Sequence, residues 1–167
     1  MKRKFLIVIL CIMLLCTVCL SSCSQQPPSA QSILSRLLKT EIDLPSGQVY
    51  LSNSPEGERS CVPHSLLCAL YGGGSMPKEY DDWVEFAIFL SSSHPCEFAV
   101  FLCDSPQSAL DTSKTLCARL TTLKNFWDDS EYSSYTNNAE VIISGNFCVL
   151  IVSSDTSTAK KTLKSLI

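Results

Sequence analysis

The chain has 167 residues, ten cysteines, 46% hydrophobic residues and a formal net charge of −3. That length allows one domain with a real core and argues against a miniprotein that depends on staples. The acidic balance predicts no nucleic-acid partner and a poor match to anionic lipid, and no run of Lys or Arg along the chain argues otherwise.

The first 22 residues read as an export signal. Lys2, Arg3 and Lys4 precede an apolar run from Phe5 to Leu20, and Ser21 and Ser22 lead into Cys23. A basic start, an apolar stretch and small residues at a cleavage point form the layout of a secretory signal. The apolar run is too short for the ~20 residues that a spanning helix needs. A cysteine after small residues looks like a bacterial lipobox. Cys23 is therefore the expected lipidation site, with a diacylglyceryl thioether (and palmitate-class acyl chains) holding the mature protein on the extracytoplasmic face of the cell membrane. Two acyl chains anchor stably where one is marginal. The reading divides the chain into a lipoprotein signal peptide (1–22), a polar tether with two prolines (23–29) and one α+β domain (30–167). The signal carries three of the 13 basic residues, so the remainder has ten against 16 acidic ones, a net charge of −6.

A first helix is expected from a Ser29 or Ser32 cap through Lys39, with Ile33, Leu34, Leu37 and Leu38 on one stripe. Val49 to Leu51 is a short extended piece. A second helix is expected over Cys61–Tyr71, with Pro63 in its first turn and the glycines at 72–74 as its stop. The period then changes. Trp83–Leu90 and Cys96–Cys103 read as strands around a turn, and Asp104-Ser105-Pro106 starts a helix that runs to about Phe126. Residues 128–138 read as a polar loop. Ala139–Ile143 and Phe147–Val152 form a second hairpin, and Asp155 starts a last helix to Leu166.

These elements predict a four-stranded antiparallel sheet built from two strand-strand-helix units, which hint at an internal duplication. The two unit helices would share one face, and the two N-terminal helices would cover the other. The strands are apolar on both faces, so both must be covered, or else an apolar patch would mark a partner surface.

Several features of residues 59–167 resemble a family of bacterial lipoproteins called domain of unknown function 4358. They are the Leu70-Tyr71-Gly72 helix end, Asp81-Asp82-Trp83-Val84, Glu97 to Phe101 followed by Asp104-Ser105, the helix to Trp127, and Gly145-Asn146-Phe147. The resemblance implies a cell-surface lipoprotein with no assigned activity and supplies no functional residues. Cys96, Cys103, Cys117 and Cys148 depart from it.

Six cysteines follow the tether: Cys61, Cys68, Cys96, Cys103, Cys117 and Cys148. Most stand among apolar neighbours, so they read as free thiols packed as small hydrophobes, with disulfides as the alternative. Cys61, His64, His94 and Cys96 are the candidate metal ligands. They would serve zinc only if the second helix packs beneath the first hairpin and brings all four together. The same residues are the candidates for a thiol nucleophile, without an obvious group to orient the imidazole. Asp81-Asp82 and Asp128-Asp129 lack the spacing of a calcium loop. Glu85 and Glu97 read as a surface pair. No cofactor motif and no catalytic signature is found. The leading expectation is a non-enzymatic envelope module that binds another envelope protein or a small ligand. A Cys/His-dependent function and an envelope hydrolase are the alternatives.

Overall fold

The computed structural model describes residues 28–41 and 43–167; the expected signal peptide and the expected lipidation site Cys23 lie outside them. The chain order is α1 (Ala30–Leu38), β1 (Gly47–Leu51), α2 (His64–Tyr71), a 3-10 turn (Tyr80–Asp82), β2 (Trp83–Ser91) and β3 (Glu97–Cys103). There follow α3 (Pro106–Trp127), α4 (Ser133–Asn137), β4 (Glu140–Ser144), β5 (Phe147–Val152) and α5 (Thr156–Lys164). No helix of the described residues is long and apolar enough to cross a membrane.

The α+β class is as expected, but the sheet has five strands in the order β1-β2-β3-β5-β4, all antiparallel. The short extended piece at 49–51 is the edge strand β1, paired along its whole length with the end of β2. Five residues without alternation give little strand signal; pairing with a neighbour decides them. The expected polar loop at 128–138 also contains α4.

Strand residues alternate between two cores. Trp83, Phe86, Ile88, Ala99, Phe101, Cys148 and Leu150 face one side, where Leu67 and Tyr71 of α2 and Ala109, Leu116 and Leu123 of α3 cover them. Ala87, Phe89, Phe98, Val100, Val149 and Ile151 face the other, under Ile33, Leu34 and Leu37 of α1 and Ala159 and Leu163 of α5. Both faces are covered, as apolar strands of both parities require. The distribution of helices corrects the expectation. Each face takes one N-terminal helix and one unit helix.

This arrangement also weighs against the duplication. Val100 pairs with Val149, its counterpart in the other hairpin, so the sheet alone has a two-fold axis through its plane. That axis would keep both unit helices on one face. The 22-residue α3 is about 33 Å long and lies over β3, β5 and β4, so it occupies the ground α5 would need. The nine-residue α5 goes to the opposite face.

Caps and turns follow the sequence closely. Ser29, Ser105 and Asp155 each accept a backbone N–H at the starts of α1, α3 and α5. α2 begins three residues later than expected, because Cys61 bridges to Leu51 and Pro63 takes the cap position. Gly72 ends α2, and a Cβ there would sit 1.6 Å from the Ser75 carbonyl oxygen, so only glycine fits.

Candidate functional site

The antiparallel register defines two ends of the sheet. Trp83, Cys103 and Phe147 lie at one, and Leu90, Glu97 and Val152 at the other. The second end gathers the most unusual polar chemistry of the described residues.

Glu97 is only 2% exposed. Arg119 of α3 clamps it, with Nη2 donating to Oε2 at 2.7 Å and Nε to the same oxygen at 3.0 Å. The Tyr71 hydroxyl donates to Oε1 at 2.9 Å. Burial, and then the Glu97 charge, push the Tyr71 phenol well above its ordinary range. The Glu97 field outlasts the desolvation of Arg119 and holds the guanidinium firmly charged. The expected surface pair is thus corrected. Glu97 is a buried member of a three-part network, and Glu85 lies far along the hairpin opposite Leu102. There Glu85 accepts from the first backbone N–H groups of α1, at Ala30 and Gln31, where a carboxylate suits the helix dipole.

A second buried carboxylate sits on the other face of the same end. Glu41, 7% exposed, accepts from Ser153 Oγ through Oε1 and from Ser154 Oγ at 2.8 Å through Oε2. The hydroxyl of Ser153 in turn accepts from the Asp155 N–H.

Rings cover the outside of this end. Phe126 and Trp127 at the end of α3 meet at 5.3 Å between centroids, and Trp127 meets Tyr132 at 5.7 Å. Tyr132 meets His94 at 4.6 Å and Tyr135 at 6.2 Å, and all four pairs are edge to face. Phe126 is 77% exposed.

The four metal candidates do not converge. His64 starts α2 and packs on Tyr80 beside Trp83, at the first end of the sheet. His94 lies on the β2–β3 turn at the other, with Nδ1 2.7 Å from Ser93 Oγ. The length of the hairpin, roughly 25 Å at ~3.3 Å per residue, separates them. Cys61 belongs to the bridge with Leu51, and Cys96 is buried under α1's face of the sheet. Burial first, then Glu41 and Glu97, push the Cys96 thiol up to about 12. It stays protonated at neutral pH, the wrong form for a nucleophile. No group of three or more His, Cys, Asp or Glu among the described residues is placed to hold a metal.

The six cysteines past the tether are all free, with Cys96, Cys103 and Cys148 buried, Cys61 and Cys68 half-buried, and Cys117 exposed. Burial pushes the Cys148 thiol up to about 12 as well.

Sequence reasoning missed Glu41, Tyr71, Arg119 and the ring ladder. Glu97 gave the one signal, as the only polar residue in an otherwise apolar strand. No family model matches this chain, and no curated protein or solved structure matches it.

Proposed function

We propose that this protein is a lipid-anchored, extracytoplasmic binding module whose ligand, an envelope protein or a small molecule, docks on the ring ladder. Cys23 carries the acyl chains and holds the domain at the cell membrane, in keeping with the surface lipoproteins that residues 59–167 resemble. The exposure of Phe126 at the head of four further rings carries the reading. An aromatic side chain left in water on a domain with two filled cores gains nothing for folding, and grouped rings are what binding surfaces use as anchors. The Glu97–Arg119–Tyr71 network and the Glu41–Ser153–Ser154 cluster lie beneath the rings and tie β3, α2, α3 and the start of α5 together. They act as a rigid base for the surface, because each carboxylate is fully engaged by protein donors.

A photo-crosslinking residue at position 126, in membranes of intact cells, tests the reading. A discrete adduct is expected from position 126, absent from Gln107 at the far end of α3 and lost with Trp127→Ala. Equal yields from positions 126 and 107 would refute it.

A further inference from the structure

The first and last helices of the domain assemble a basic layer that the linear sequence conceals. The segments Ala30–Leu38 and Thr156–Lys164 contain no Asp or Glu. They carry Arg36, Lys160, Lys161 and Lys164, and Lys39 caps the end of α1. Lys160 is paired with Glu140. Arg36, Lys39, Lys161 and Lys164 are exposed, and none forms an ion pair among the described residues. α1 ends where Glu41 meets Ser153, and α5 begins there, so the two helices pack antiparallel on one face of the sheet. Arg36, Lys39, Thr40 and Thr162 border an open cleft of about 490 Å³ between them. The acids near this layer are the exposed Asp155 and Asp43, and three engaged ones: Glu41, buried against Ser153 and Ser154, Glu140, paired with Lys160, and Glu85, held by the first N–H groups of α1. A chain with excess acid thus presents one cationic side, opposite the face that α2 and α3 cover.

We infer that the α1–α5 layer lies against the anionic phospholipid surface of the membrane that Cys23 enters. The inference rests on the lipid-anchor reading of Cys23. Two observations select lipid as the occupant. Six residues lie between Cys23 and the start of α1 at Ala30, so over seven steps of ~3.6 Å the helix begins within about 25 Å of the acyl chains. The charge then complements the surface, since Lys and Arg near anionic lipid attract within a Debye length. An anchor supplemented by a basic patch is also the two-signal arrangement that holds proteins flat on a bilayer. In this pose α3 and the rings at its end face away from the lipid, toward a partner.

The test uses the processed, acylated protein in vesicles of phosphatidylcholine, alone or mixed with phosphatidylglycerol. Amine labelling of individual lysines is read by mass spectrometry. On the mixed vesicles at low salt, labelling of Lys39, Lys161 and Lys164 should slow by about tenfold, and high salt should restore it. Lys114 and Lys124 on α3 should label equally on both vesicles. Arg36→Glu with Lys161→Glu should abolish the protection of Lys39 while leaving the protein on the vesicles. Equal labelling of the basic layer on both lipids would overturn the inference. Protection by inorganic phosphate on neutral vesicles would also overturn it, by making the layer a site for free anions. Failure of the anchor reading looks different, as a protein that leaves neutral vesicles and lacks the diacylglyceryl mass on Cys23.

Discussion

Replacing Arg119 with methionine removes the only cation that the described residues place on the buried Glu97 carboxylate, and keeps most of the apolar stem. Glu97 would retain one donor, the Tyr71 hydroxyl, in a site where it is 2% exposed. Stranding one partner of a buried ion pair costs about 3–5 kcal/mol. The Arg119 side chain is itself 16% exposed, so water reaches part of the vacated space and places the loss toward the lower end of that range. The expected loss is therefore about 3 kcal/mol at pH 7. For a domain of this size it corresponds to a drop in Tm of roughly 10 °C. Urea unfolding followed by circular dichroism at pH 7 measures it. Glu97→Gln combined with Arg119→Met should recover at least half the loss, because a neutral amide still accepts from Tyr71. A single variant within about 1 kcal/mol of the parent at pH 7 would refute the argument that a buried charge is being stranded.

Alkali should unfold the protein ahead of any change at neutral pH. Cys96 and Cys148 rise from the ordinary thiol value of 9 to about 12 on folding, and Tyr71 rises too. The unfolded chain therefore loses these protons first, and stability present below pH 9 declines toward pH 12 by about 1.4 kcal/mol per pH unit for each titrating group. A denaturant midpoint that stays flat from pH 8 to 11 would contradict the burial of these groups. Thiol titration of the native protein gives a separate check. Among the six cysteines past the tether, Cys117 should react first, while Cys96, Cys103 and Cys148 wait for unfolding; rapid reaction of all six would show an open core.

Much of the fold was legible because its signals are local. The Ser29, Ser105 and Asp155 caps, the two apolar hairpins and the glycines after Tyr71 each act within a few residues. Apolar residues at both parities of β3 and β5 already required a covered sheet. Which helix covers which face was not legible, because α3 and α5 have apolar stripes that fit either. The length of α3 across β3, β5 and β4 decides it.

The candidate site and the basic layer depend on distances that only the folded chain sets. Glu97 stood out in sequence, but its partner Arg119 lies 22 residues away on another element. His64 and His94 look like two halves of one cluster until the hairpin places them at opposite ends of the sheet. Arg36 and Lys161 are 125 positions apart in a chain of net negative charge, and nothing in the order of residues joins them. The sequence by itself determined the class of fold and the apolar strands, because those rest on composition and short-range periodicity. Tertiary structure alone decided where charge and aromatic surface gather, because packing on the two faces of one sheet brings together residues that the chain keeps far apart.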